Sequence, residues 1–246
     1  MKEYEVPLNR FVNFYHFDEV VSTMMEAEKL INSGVRKGIV LADSQTGGYG
    51  RNNRAWFSPD NGNIYISFFK EQDVEFIPQR AALAAFNTVS AFIDDGSVKI
   101  KWPNDILVSN RKVSGIIARS VICRNEKYLI AGIGMNVFVP EYKNCQFEWE
   151  PGAITQKVST TTEKVLNRLI LETDAAFSIC EKDVVKKFTS AVKWMEKMKV
   201  RYTQDNLSYK DGLIAGFNKD GSVIKILTSN GEENLSTLSI SALWNN

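Results

Sequence analysis

Four apolar runs follow one another between Val98 and Phe138 with only short turns between them: VKIKW (98–102), ILV (106–108), KVSGIIARSVI (112–122) and YLIAGIGMNVF (128–138). Short runs joined this tightly read as consecutive strands, which favours a mixed or antiparallel sheet over a doubly wound parallel one. Upstream, KGIVLAD (37–43) and NIYISFF (63–69) have strand length and pattern. A helix is expected over 23–33, where Thr23-Met-Met-Glu26 has capping-box spacing, Ala27, Leu30 and Ile31 make an apolar stripe, and Gly34 suits the end. Another is expected over 77–94, rich in Ala and stopped by Asp94-Asp95-Gly96, with two more over 161–180 and 182–196. The segment 139–160 carries Pro140, Pro151, Gly152 and a Ser-Thr run and reads as a long loop. Beyond Lys197 the pattern changes. Asp211-Gly212, Asp220-Gly221 and Asn230-Gly231 are turn signals at nine- or ten-residue spacing, so 197–246 should form a small antiparallel barrel or sheet. The expected class is α+β, with one domain over 1–196 and a second over 197–246 too small to hold much core of its own.

The bulk properties narrow the function classes. With 246 residues and 44% hydrophobic content, the chain can bury a substantial core. Thirty Lys and Arg balance 29 Asp and Glu, which argues against general nucleic-acid binding, because that needs a basic excess. Cys123, Cys145 and Cys180 are widely spaced and form no C-x-x-C pair, which suits reduced thiols in the cytoplasm. The first residues lack an apolar signal-peptide core, and no run reaches the roughly 20 residues of a membrane span. His16 is the only histidine, so a His-based triad or His-rich metal site is nearly excluded.

Several motifs can carry chemistry. QTGGYGRNNRAWFSP (45–59) presents three glycines, two arginines and no carboxylate. Gly47, Gly48 and Gly50 allow the backbone to turn its N–H groups toward an anion, and Arg51 and Arg54 add charged forks. A plain hairpin connection is the alternative. KWPND (101–105) joins two strands; Asn104 and Asp105 could face a nucleotide and its magnesium ion, or could simply cap their own turn. A hairpin of 106–108 with 112–117 would bring Lys112 back beside Asn104 and Asp105, where an ammonium could neutralise a phosphate and a carboxylate driven together. GIGMNV (132–137) allows close backbone approach and offers Asn136 to an adenine edge, or packs as a central strand. Trp56 and Trp102 could cover an adenine face or fill the core.

Taken together, these motifs resemble the biotin protein ligases, a family that activates biotin with ATP and attaches it to carboxylase carrier domains. The family shows a Ser-Thr pair before its first catalytic helix, a GRGRRGR-x-W loop, KWPND, a K-x-x-G-I-L strand and G-x-G-x-N. Here they stand in the same order as Ser22-Thr23, GYGRNNRAW, KWPND, KVSGII and GIGMN, between residues 14 and 138. The resemblance implies a class II synthetase-like biotin/lipoate ligase fold with a small C-terminal SH3-like β-barrel, and a catalytic biotin- and ATP-binding domain over 1–196. It implies that Ser22, Thr23, Met24, Gln45, Gly48, Tyr49, Gly50, Arg51, Lys112 and Gly115 bind biotin. Arg51, Arg54, Trp56, Asn104, Lys112 and Asn136 would address ATP, with Lys112 and Arg51 catalytic and Asp105 near magnesium. Implied partners are biotin, ATP with Mg2+ and a biotin carboxyl carrier protein domain, with a homodimer left open.

Family members that double as repressors carry an N-terminal helix-turn-helix region, and the roughly twenty residues before Ser22 are too few for one; neither DNA nor a membrane is expected as a partner. Three departures stand out: Tyr49 for the loop's first arginine, Asn52 and Asn53 for an arginine and a glycine, and Arg119 where many members carry a glutamate. Tyr49 and Arg119 keep open a non-catalytic biotin-binding module, while a lipoate or octanoyl ligase or transferase of the related fold is a second alternative, against which KWPND, Gln45 and the glycine-arginine loop stand.

Overall fold

The computed structural model describes residues 13–72, 74–139, 150–205, 207–236, 240 and 242–245. Its main sheet has seven strands: β1 (Phe14–Val20), β2 (Lys37–Gln45), β3 (Ile64–Glu71), β4 (Val98–Lys101), β5 (Asp105–Val108), β6 (Arg111–Cys123) and β7 (Glu126–Met135). The order across it is β1-β2-β3-β7-β6-β5-β4. β1 runs parallel to β2, and every other neighbouring pair is antiparallel. The sheet is therefore mixed. Helix α1 (Thr23–Asn32) supplies the crossover that a parallel pair needs. β1 is absent from the sequence reading, because Phe14–Phe17 are only half-buried, Asp18 and Glu19 are exposed, and Val20 is its one buried residue.

β2 and β3 read as unbroken apolar runs because both faces of the sheet are covered. On one face Ile39, Leu41, Ile64, Ile66 and Phe68 join α2 (Ile77–Phe92), α3 (Thr162–Ser178) and α4 (Glu181–Val192) in the larger core. On the other, Val40 and Phe69 meet Met24, Ala27 and Ile31 of α1. The end of α1 follows from its sequence: Gly34 takes φ +102°, Gly34 N–H donates to Ile31 O, and Val35 N–H donates to Leu30 O. Its start differs from expectation. Ser22 is the N-cap residue, and Thr23 is already helical with its hydroxyl committed to other partners, so no Thr23–Glu26 capping box forms.

The C-terminal sheet contains β8 (Lys199–Thr203), β9 (Lys210–Phe217), β10 (Val223–Thr228), β11 (Gly231–Ser236) and β12 (Ala242–Asn245), in order β11-β10-β9-β8-β12. Among the described residues its edge strands β11 and β12 do not pair, so the sheet is open where a closed barrel was expected. Asp220-Gly221 and Asn230-Gly231 sit at strand reversals. Asp211-Gly212 does not; it lies inside β9. A Cβ on Gly212 would come within 2.4 Å of Ile226 on β10, so this glycine serves close approach and not a turn. The reversal before β9 is built at Asp205, whose carboxylate accepts from Leu207 N–H and Ser208 N–H.

The loop expected over 139–160 lies partly outside the described residues, and its described end forms a short 3-10 turn at Ile154–Gln156. The expected second C-terminal helix stops at Val192, and Lys193–Met195 tighten into a 3-10 turn. Val200, Ile214, Ile224 and Ile226 of the small sheet extend the larger core. No helix among the described residues is long and apolar enough to cross a membrane.

Candidate functional site

The glycine loop leaves β2 at Gln45 and is tied back to α1 and β3 by a chain of polar side chains. Gln45 Oε1 accepts from Thr23 N–H at 2.9 Å and Thr23 Oγ1 at 3.2 Å. Ser67 Oγ of β3 donates to Thr23 Oγ1 at 2.8 Å. Gln45 Nε2 donates to Ser58 Oγ at 2.9 Å, which donates to Trp56 O at 2.9 Å. Ser58 and Ser67 are buried members of this network that the sequence reading lacks; the signal for Ser67 is a lone polar residue inside IYISFF. Ser22 is buried beside them and, among the described residues, contributes its carbonyl alone, to Met25 and Glu26.

Gly48 is the residue that lets the network close. A Cβ there would stand 2.7 Å from Ser58 Oγ and Trp56 O and 2.8 Å from Gln45 Nε2. Gly48→Ala should therefore cost about 1–3 kcal/mol by overpacking. At Gly50 the nearest atom would be 3.8 Å away, so Gly50→Ala should stay within about 0.5 kcal/mol. Equal melting temperatures for the two variants would contradict this assignment.

The KWPND segment is the turn of the β4–β5 hairpin, with Lys101 and Asp105 directly opposed at its base. Lys112 reaches them through a β-bulge. Ile106 pairs with Ser114 while Leu107 pairs with Lys112, leaving Val113 as the extra residue. Val113 and Ile116 thus enter the larger core, while Gly115 faces the glycine loop. Regular alternation would put Val113 on the loop side and drive Lys112 into the core; the bulge reverses both. Lys112 then passes over Gly115, and its Nζ lies 2.7 Å from Asp105 Oδ1. Lys101 Nζ lies 3.7 Å from Asp105 Oδ2.

Burial alone would push the Asp105 carboxyl up, but the ammoniums of Lys112 and Lys101, aided by the Arg51 guanidinium, outweigh it and hold the group below the usual carboxylate range. A carboxyl depressed on folding contributes stability that is full above about pH 4 and is lost as pH falls through the folded value. Asp105→Asn should accordingly flatten the acid limb of a stability–pH curve, and an unchanged limb would contradict the pairing.

Opposite these cations, Trp56 lies on a notch made by two glycines paired across β6 and β7. A Cβ on Gly134 would stand 2.4 Å from Trp56 Nε1, and one on Gly115 would stand 2.8 Å from Cζ3. Lys112 Nζ sits 5.2 Å from the indole centroid, a cation–π contact. Among the described residues the buried Trp56 indole N–H has no hydrogen-bond partner. Met24 makes the equivalent approach to Gly132, where a Cβ would be 2.8 Å from its sulfur.

The remaining predicted residues divide. Asn104 Nδ2 donates to Ile116 O at 2.7 Å and closes its turn. Asn136 is buried and donates to Gly152 O at 3.0 Å, pinning the segment that crosses the strand ends. Arg51 donates to Ile240 O at 2.7 Å, joining the loop to the C-terminal segment, and Arg54 is exposed.

Asp105 does not fit a protein-held magnesium ion. Its carboxylate is shared by two lysines, and among the described residues no group of three or more His, Cys, Asp or Glu side chains gathers.

Each departure has a local account. Tyr49 packs against the apolar cluster under α1, so its ring fills space that an arginine head would not. Asn52 and Asn53 both take φ 55°, a left-handed conformation that asparagine tolerates better than most residues. Arg119 pairs with Glu28 of α1, so the reversed charge is neutralised where it stands.

The profile of the biotin/lipoate A/B protein ligase family matches residues 17–136, the span that holds these motifs. That segment belongs to the family. Within it the chain is similar to the bifunctional ligase/repressor BirA of Bacillus subtilis, 35% identical over 129 residues, which is 50% of this chain and 39% of the relative. It is also similar to the biotin–[acetyl-CoA-carboxylase] ligase of Mycobacterium tuberculosis, 29% identical over 107 residues, covering 40% and 39%. The matched parts are thus about two-fifths of these relatives' length.

Beyond the family segment, the fold likeness covers nearly the whole chain. The Aquifex aeolicus biotin protein ligase in complex with biotin and ATP superposes with a TM-score of 0.73 at 24% identity, over 96% of this chain and 100% of that one. The Leishmania major enzyme in complex with biotinyl-5-AMP gives 0.62 at 24% identity, over 92% and 99%. At these identities the likeness establishes the biotin ligase fold, including its small C-terminal sheet.

Proposed function

We propose that the chain is an ATP-dependent biotin protein ligase, making biotinyl-5′-AMP and passing biotin to a lysine of a biotin carboxyl carrier domain. The observation that carries this reading is the Lys101–Asp105–Lys112 cluster beside the glycine notch, with Lys101 and Asp105 buried and Lys112 partly exposed. Two lysines share one carboxylate, so the cluster holds a surplus positive charge where two anions would have to meet. In the first step a biotin carboxylate oxygen bonds to the α-phosphorus of ATP as the bond to the bridging oxygen breaks and pyrophosphate leaves. Lys112, with Arg51, screens the repulsion between carboxylate and phosphate and stabilises the transferring phosphoryl oxygens. In the second step the uncharged amine of the carrier lysine attacks the acyl carbon, AMP departs with the bonding pair, and the amine loses a proton.

Under this reading Ser22, Thr23 and Gln45 hold the ureido ring. The Thr23–Gln45–Ser58–Ser67 network suits that task, since a ureido group needs donors and acceptors fixed together. Met24, Gly48, Tyr49, Gly50 and Gly115 line the acyl chain, and Trp56, Asn104, Arg54 and Asn136 serve the adenosine side. Magnesium enters as the counter-ion of ATP. We place the catalytic domain at 1–196, a supporting domain at 197–246, and the protein in the cytoplasm. The departures that favour a non-catalytic module lose force once Tyr49 is packed and Arg119 is paired.

Purified protein, MgATP and biotin should add one biotin to a single lysine of an isolated carrier domain, read by mass spectrometry. Modification by lipoate or octanoate instead of biotin would transfer the assignment to the related ligases.

A further inference from the structure

Lys101 has no part in the reaction as described above, yet it is the most deeply placed charge in the cluster. Its side chain is 6% exposed, against 11% for Asp105 and 27% for Lys112. Burying a lysine is unfavourable, and an apolar side chain of similar length would suit the fold better. The hairpin places it directly across from Asp105, at the base of the turn. Asp105 is therefore held from two sides: Lys101 reaches Oδ2 from the buried side, and Lys112 reaches Oδ1 from the more exposed side. Lys112 is the member turned outward, toward Trp56 and the glycine notch.

Resting on the ligase reading, we propose that Lys101 is a positioning residue that neutralises Asp105 whenever Lys112 transfers its ammonium from Asp105 to the reacting oxygens. With Lys101 present, Asp105 keeps a counter-charge after Lys112 departs. Without it, departure leaves the buried carboxylate only the weaker attraction of Arg51, so Lys112 stays bound to Asp105 and is withheld from the substrate. The role is electrostatic and runs through Asp105. It follows that removing the carboxylate removes the need for Lys101.

The test compares Lys101→Met, Lys101→Arg, Asp105→Asn and the double variant Lys101→Met/Asp105→Asn in biotin-dependent pyrophosphate–ATP exchange at saturating substrates, with melting temperatures measured alongside. Lys101→Met should lower kcat on the order of ten- to a hundredfold with KM for biotin and ATP little changed. Lys101→Arg should retain most activity. The double variant should be more active than Lys101→Met alone, a rescue that a packing role for Lys101 would not produce.

Unchanged kcat in Lys101→Met overturns the proposal, as does a double variant no faster than the single. Should Lys101→Met fail to fold, the comparison of Lys101→Arg with the double variant decides: the proposal requires both to be active. A wild-type protein inactive in exchange overturns the ligase reading and this inference with it, whereas an active wild type indifferent to Lys101 overturns the inference alone.

Discussion

Replacing Lys112 by alanine is expected to slow adenylate formation by about 10²–10³-fold while biotin affinity changes little, the loss typical of removing one preorganised charge aimed at a transition state. The expectation follows from where the ammonium sits. Lys112 is held by Asp105 at 2.7 Å and lies over the Trp56 ring, so it is oriented before substrate arrives. Its charge matters most when the carboxylate and α-phosphate are closest, which makes its contribution larger in the transition state than in the ground state. The variant also leaves Asp105 with Lys101 as its counter-ion, so the fold keeps a paired carboxylate. Rapid-quench rates and calorimetric biotin affinities separate the cases. An unchanged rate with weakened binding would reduce Lys112 to a ground-state contact.

The second large effect is expected at Trp102. Trp102→Ala should destabilise the protein by about 3–5 kcal/mol, a large share of the roughly 5–15 kcal/mol that holds a typical domain. Trp102 is fully buried, its indole N–H donates to Gly221 O at 2.8 Å, and its ring is tilted against Phe217 at 6.4 Å. It thus anchors the turn between Lys101 and Asp105 to the C-terminal sheet. The neighbouring Trp194 reinforces the junction by donating to Ile100 O at 2.8 Å. Trp102→Phe should keep most of the packing, losing about 1 kcal/mol with the hydrogen bond and more if the Gly221 carbonyl finds no water. Urea unfolding with unchanged m-values measures both, and an alanine variant within 1 kcal/mol of wild type, as ~1 kcal/mol is the ordinary surface-to-average range, would contradict the anchoring role.

The strands from 98 to 138 are legible in the sequence because turn residues and apolar runs agree there, and Lys112 is found beside Asp105 as the hairpin argument requires. The bulge that aims Lys112 is not legible. KVSGII reads equally well in either register, and only the competition between Val113 and Lys112 for the core decides it. β1 escapes because a half-exposed edge strand shows no apolar alternation. The expected capping box at Thr23 fails because a tertiary partner, Gln45, takes the threonine hydroxyl and amide that local sequence assigns to the helix. Asp211-Gly212 misleads for a related reason: glycine marks a close approach as readily as a turn. Reading Arg119 as a reversed charge omits Glu28, which lies far away in sequence and next to it in space.

The measurement that bears most directly on the central claim is isotope exchange of labelled pyrophosphate into ATP, with magnesium and either biotin, lipoate or octanoate. The account predicts exchange with biotin alone, abolished or nearly so by Lys112→Ala. Exchange driven by lipoate or octanoate, or none with biotin while biotin still binds by calorimetry, would contradict it.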